Sequence, residues 1–521
     1  MEDFLYNELN KAWKTTCKVL FKEEIGELKE YEEWLKDEIG YKRYVKRVET
    51  DEREGTITPS YYKGRFVRFE KAKTMLNTPA LNINEIKDID SIREAISEKW
   101  FYVTNRVMGK SEYVRGSDLI IDSYFVLDSF NIQNCKYIAY SSLMRKGSLY
   151  IFGSNGGGGN EFLVRVNGIY DTRRGFESYA VLDSSDAYYS AYSFGCQEIM
   201  FSFNQRGKRF VIGNIELSRE KYYALKQKLL KEIVEELKKN KRLPSLFELI
   251  EKSEKAQVEN IGNIEVSKKE EEEDFEEIEK GFKQTTRIIL KKEYSIKELE
   301  TYLEKRLSKI KTIESPFGNK VSYADEYFFE RIPKDRKITK EEAEEAGKLK
   351  LNEKEINSFE QIKNHIGKIA LIAPELVVRK NLNYIKTPVA VDAINSYRVL
   401  DATEAKHVGL STYALNSEYC YGNYRILESS FCIKCHNSSN IRRGFELDSC
   451  SNCSDIYFSH FSEGLNNAMF CFNAKMLNNA VGNLKVGSRY NEIKEKLIEE
   501  INQKLEEDKD IGFDIYDLFT R

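Results

Sequence analysis

The chain is poor in proline and histidine, with 7 Pro and 4 His in 521 residues, and it holds no apolar run near the roughly 18 residues that cross a bilayer. No membrane span is therefore expected. Scarce proline beside 41% hydrophobic and 32% charged residues also excludes a collagenous, mucin-like or largely disordered chain. Charge of one sign is lacking as well: 82 Lys+Arg stand against 85 Asp+Glu, so the net charge is −3 and the pI about 6.1. Such a balance gives no global attraction to nucleic-acid phosphate or to anionic membranes, and nucleic acid is not favoured as a partner. The first residues, MEDFLYNELNKAWKTTCK, are charged and amphipathic and lack the apolar stretch of a signal peptide, which places the expected location in the cytoplasm. With that location, nine Cys read as thiols or metal ligands before disulfides.

What the chain does have is repetition. Arg173-Arg174-Gly175-Phe176-Glu177 recurs as Arg442-Arg443-Gly444-Phe445-Glu446. The match runs on through Ser185-Asp186 and Ser454-Asp455, Phe203-Asn204 and Phe472-Asn473, Gly213-Asn214 and Gly482-Asn483. Upstream, Ser123-Tyr124 with Val126-Leu127-Asp128 matches Ser396-Tyr397 with Val399-Leu400-Asp401, and Leu81-Asn82 matches Leu351-Asn352. A tandem duplication follows. Each copy ends in a Lys/Glu-rich periodic segment, Glu220 to Lys239 and Glu492 to Glu507, expected to be a closing helix. The charged run Lys268 to Asp274 reads as a solvated linker.

A shorter period lies inside the second copy: Cys432, Cys450 and Ala468 are eighteen apart, as are Cys435, Cys453 and Cys471. Small or apolar residues at that spacing, short β-prone runs and abundant Ser, Asn, Asp and Gly describe a β-solenoid with rungs of about eighteen residues, whose narrow bore demands small side chains. The expected fold is mainly β with flanking helices, an α+β chain of two tandem solenoid units. In order these are a helical or mixed region over 1–80, copy one with its capping helix over 81–250, a charged linker or helical stretch over 251–310, a pre-solenoid segment over 311–350, and copy two over 351–521. Keeping the register requires four extra residues in copy one, and Gly153 to Asn160, rich in glycine and without the Lys-[Ser/Thr] of a phosphate loop, is expected to bulge outward there.

Cys432-x2-Cys435-x14-Cys450-x2-Cys453 has the spacing of a structural zinc site, with His436 beside it. Copy one carries Leu163, Val166, Val181 and Ser184 at those positions, which favours a packed core ladder, with zinc in copy two as the alternative. The doubled arginines, Arg173 with Arg174 and Arg442 with Arg443, could clamp a carboxylate or phosphate. They are otherwise a turn in which Gly takes a special backbone angle and Arg pairs with Glu177 or Glu446. No Ser, His and carboxylate spacing nominates a catalytic residue.

Ser315-Pro316-Phe317-Gly318-Asn319-Lys320, then Tyr323 and Tyr327-Phe328-Phe329, then a Cys-rich coil with Asn452-Cys453 and a C-terminal Lys/Glu helix, resembles uncharacterised Cys-rich β-solenoid proteins of candidate-phylum bacteria and large phages. The resemblance spans mainly residues 310 to 510 and implies no activity. The expected function is that of a non-catalytic structural or interaction protein, a duplicated scaffold engaging protein partners or copies of itself in a larger, phage-like or virus-like assembly. A polysaccharide-binding or polysaccharide-degrading solenoid is the alternative, and a nucleic-acid-binding protein the third reading.

Overall fold

The computed structural model describes residues 2–58, 64–75, 79–256, 258 and 274–518. The chain is mainly β with flanking helices, and its sheets are built from parallel strands. In the first half, four-residue strands such as Tyr124–Leu127, Lys136–Ala139 and Leu149–Phe152 pair in one sheet, while Phe130–Gln133, Ser142–Arg145 and Asn155–Gly158 pair in a second. Each strand pairs in register with the strand twelve residues on: Tyr124 lies beside Lys136, and Glu161 beside Arg173 beside Ser185. The second half keeps the twelve-residue register in one continuous sheet, with Ile394 beside Lys406 beside Glu418 beside Ser430.

The repeat is therefore six residues per strand and corner and twelve per turn, and the expected eighteen-residue rung is corrected to twelve. Eighteen residues span one and a half turns, so the eighteen-residue columns alternate between the two sides of the turn. They share a chemistry because both sides face the same core. Gly153 to Asn160 is likewise no outward loop: Asn155 is in register with Ser142 before it and Asn167 after it. Extra residues of the first half sit instead near Gly109, where the step from Val107 to Ile120 is thirteen, and near Gly147, where the step from Lys136 to Leu149 is thirteen.

The backbone explains the composition. Every third residue of the ladder takes a left-handed conformation, for example Phe125 (φ 56°), Asp128 (41°), Asn131 (56°), Asn134 (52°) and Tyr137 (59°). Each non-glycine residue there costs about 1–2 kcal/mol, least for Asn and Asp, which accounts for their abundance. The cost is offset by a dry interior column, Ile120, Val126, Ile132, Ile138 and Met144 in the first half and Val408, Ala414, Cys420, Ile426 and Cys432 in the second. Corner hydroxyls satisfy the buried backbone. Ser129 Oγ donates to Leu127 O (2.7 Å) and accepts from Ser141 N (3.0 Å); Ser429 Oγ donates to Leu427 O (2.6 Å) and accepts from Ile441 N (3.0 Å).

A helix lies across each ladder. Glu2–Phe21 sets Trp13 against Phe152 (ring centroids 5.3 Å), and Phe275–Leu290 sets Phe282 against Tyr421 (4.9 Å). The stretch 251–310 is thus not simply a linker, since Phe275–Leu290 and Ile296–Leu303 pack on the second ladder through buried Ile278, Phe282, Leu299 and Leu303. The linker expectation for Lys268 to Glu273 lies outside the described residues, and Asp274 caps the helix that follows.

The far end of each ladder is closed by a segment from the other half. Leu351 N donates to Gly213 O (3.0 Å) at the end of the first ladder, and Leu81 N donates to Gly482 O (2.8 Å) at the end of the second. Both glycines have φ +59°, and a Cβ on either would strike the incoming leucine. The same exchange is made by the closing helices Arg219–Asn240 and Tyr490–Asp508. Glu232 accepts from Phe359 N (2.6 Å) and Lys228 reaches Asn357 O (2.6 Å); Glu500 accepts from Ile89 N (2.9 Å) and Lys496 reaches Lys87 O (2.6 Å).

Candidate ligand cavity between the two ladders

The thiols expected as metal ligands are distributed by the six-residue unit. Cys432 is the third residue of the strand Ser430–Asp448, whereas Cys450 lies between that strand and Ser451–His460 and donates from its N to Ser438 Oγ (3.1 Å), as a corner residue does; Cys435 and Cys453 are corner residues as well. All four are buried. Cys432 lies in register with Cys420, while Cys453 Sγ accepts from Leu465 N (3.3 Å), as a corner serine would. Burial raises every one of these thiols, Cys453 to about 11, which opposes the thiolate form that a metal needs. Among the described residues no group of three or more His, Cys, Asp or Glu is placed to hold a metal ion. At Cys432 and Cys435 the Cys-x2-Cys spacing is a strand centre followed by its corner, and at Cys450 and Cys453 it is two successive corners.

Arg174 donates to Asp186 through Nε (2.8 Å) and Nη2 (2.7 Å), and Arg443 pairs with Asp455 in the same way (2.6 and 2.5 Å), so both forks are filled by the next turn. Arg173 and Arg442 are exposed, the former 3.8 Å from Glu161. The pairing partners are thus Asp186 and Asp455 rather than Glu177 and Glu446; Glu177 is engaged by Arg165, and Glu446 accepts from Tyr302 Oη (2.7 Å) and Ile515 N (3.0 Å). Nor does the shared glycine need a special angle. Gly175 and Gly444 are needed for space, because a Cβ would come within 2.9 Å of Leu163 in one case and 2.8 Å of Ile441 in the other.

Sequence reasoning missed a buried polar cluster joining the halves. Arg106 reaches Asp118 (2.5 Å) in its own half and Asp448 (3.1 Å) in the other. Asp448 also accepts from Tyr516 Oη (3.1 Å) and from His460 Nδ1 (2.9 Å), while His460 Nε2 accepts from Val103 N (3.1 Å). An Asp-oriented imidazole is half of a catalytic triad, but here the nitrogen that would take a nucleophile's proton is occupied by a backbone N–H. The pair holds the two halves together. His365 meets Glu254 (3.0 Å), His407 stacks on Tyr419 (4.7 Å), and buried His436 lies edge-on to Tyr516 (5.0 Å) with its pKa depressed by burial to about 3.

One cavity, of about 80 Å³, lies where a sheet of the first ladder faces one of the second. Its first wall is the column Asn131, Leu143, Gly156, Gly168 and Ala180, in which two successive glycines remove side chains that the flanking turns possess. Val389, Asp401, Tyr413 and Arg425 form the opposite wall. Arg145 donates to Tyr170 Oη, and Asp401 accepts from Thr403 Oγ1 (2.6 Å) with its carboxyl pushed up by burial. Arg425 is 5% exposed, its Nη1 meets no hydrogen-bond partner, and Asn131 Oδ1 is also buried and unsatisfied. Burial, with Arg145 and Arg106 nearby, lowers the Arg425 guanidinium to about 10. A glycine-rich stretch lining a cavity is detectable in sequence only at the twelve-residue spacing.

Comparison with protein-family models, curated proteins and solved structures finds no match. The geometry alone bears on function.

Proposed function

We propose that the chain is a non-catalytic structural protein: two tandem β-solenoids with twelve-residue turns, duplicated from one ancestor and locked into a single scaffold that binds protein partners or further copies of itself. The intended setting is the cytoplasm or a particle assembled there, in keeping with the resemblance to Cys-rich solenoid proteins. The observation that carries this reading is the reciprocal closure, in which Leu81 closes the second ladder at Gly482 and Leu351 closes the first at Gly213. An open strand end recruits other chains indiscriminately. Closing both far ends with the opposite half protects them and fixes the angle between the ladders, leaving the flanks for specific assembly.

The polysaccharide reading would draw on the column Tyr113, Phe125, Tyr137, Tyr150 and Phe162, whose first ring is 41% exposed. Those rings stack on one another at 4.9–5.1 Å, so the faces a sugar would use are already occupied. Sedimentation over a hundredfold concentration range, with electron microscopy of the same sample, tests the proposal. Discrete particles larger than the monomer are expected. A chain that stays monomeric throughout and instead retains or cleaves a polysaccharide overturns it.

A further inference from the structure

We infer that the cavity between the two ladders is a binding site for a small organic monocarboxylate with an apolar body. The charge balance requires an anion. Arg145 and Arg425 bring two positive charges to the wall and Asp401 at most one negative, and no ion pair joins Arg425 to any described residue. A guanidinium this deeply buried without a partner costs several kcal/mol, and only a counter-charge inside the cavity removes that cost. The fork geometry of Arg425 suits a carboxylate, which accepts two parallel N–H donors.

The rest of the wall selects the body. Leu143, Leu400, Tyr413, Leu427 and Phe328 surround the charged end, and Gly156 with Gly168 supply the depth. A Cβ at Gly156 would meet nothing closer than 3.7 Å and one at Gly168 nothing closer than 3.8 Å, so these glycines keep space open rather than avoid a clash in the ladder. About 80 Å³ is the space of two or three waters and roughly half of that in which a buried cavity takes up benzene, so it suits a short aliphatic chain and not a ring. An inorganic anion would satisfy Arg425 but leave that apolar surface wet. The site is separate from the assembly reading, which concerns the outer flanks.

Calorimetric titration and thermal melting of the full chain with benzoate, butyrate, inorganic phosphate and chloride test the inference. Butyrate is expected to bind one site per chain and to raise the melting temperature, with benzoate, phosphate and chloride at least about tenfold weaker. Arg425→Met is expected to weaken carboxylate binding by about ten- to a hundredfold, the range of a charged hydrogen bond, and to melt no lower than the parent without ligand, because the unpaired charge is gone. Val389→Phe, which fills the cavity and keeps the arginine, is expected to abolish binding. Absence of binding by any carboxylate, equal binding by Arg425→Met, or tighter binding of phosphate than of butyrate would each overturn it.

Discussion

Replacing Glu232 by Ala is expected to loosen a segment that belongs, in sequence, to the other half of the chain. Its carboxylate accepts from Phe359 N at 2.6 Å, and Glu500 does the same for Ile89 N at 2.9 Å. A hydrogen bond to a charged acceptor contributes about 1.5–3 kcal/mol, and partial exposure at a helix start reduces that to about 1–2 kcal/mol. If the closing segment opens locally, backbone amides of Phe359–His365 in Glu232→Ala should exchange with solvent roughly 5- to 30-fold faster, while Ile89–Lys99 keeps the parental rate. Glu500→Ala should give the mirror result, with the fast amides in Ile89–Lys99. The sites are far apart and share no partner, so the double variant should show both effects at full size. Peptide-resolved hydrogen exchange reads this directly. Faster exchange within the mutated half alone would refute reciprocal closure, and with it the argument for a single scaffold.

Asp448→Ala should cost about 3–5 kcal/mol in chemical denaturation, because it strips His460 and Tyr516 of an acceptor and leaves Arg106 one carboxylate, Asp118, of the two it now meets. Cys453→Ser should be tolerated within about 1 kcal/mol, since its corner accepts Leu465 N as serine corners do, whereas Cys432→Ser, facing Cys420 in the apolar column, should cost about 1–3 kcal/mol; equal losses accompanied by release of bound zinc would favour the metal reading. Burial raises Glu375 to about 7 against an unfolded value near 4.3, so the folded state holds its proton and the associated stability is full below about pH 4 and lost as pH climbs through 7; Glu375→Gln should flatten that decline in pH-dependent melting. Burial depresses His436 to about 3 against about 6.5 unfolded, so its contribution is present above pH 6.5 and lost as pH falls toward 3, and His436→Phe should flatten the acid side.

The mainly β character, the parallel stacking and the closing helices were legible because a recurring sequence leaves strong marks where side chains are packed. Phe176, Gly175 and Asp186 recur as Phe445, Gly444 and Asp455 since each touches the turn before or after it. The true period was obscured by the same packing. Strand centres and corners of both sheets face one interior, so a column read every eighteen residues is as small and apolar as one read every twelve. The distinguishing signal lies in outward positions, where Tyr113, Phe125 and Tyr137 stack at twelve. Correspondence of the first helices also escaped notice, because Leu9, Trp13, Cys17 and Leu20 share with Ile278, Phe282, Thr286 and Ile289 only their burial and spacing.

Where the two halves face each other, the physics of a repeat is least constraining. Inside a ladder each residue answers to its equivalents one turn away, so Ser129, Ser141 and Ser154 stay alike. On the facing sheets a residue answers to an unrelated one across the gap. Arg106 can therefore meet Asp448 without a matching pair at the equivalent positions, and Gly156 with Gly168 can open a space that Arg425 enters from the far side. Two equal halves would present two equal surfaces. At this seam an arginine is buried on one side and glycines line the other, and that asymmetry is what the proposed carboxylate site uses.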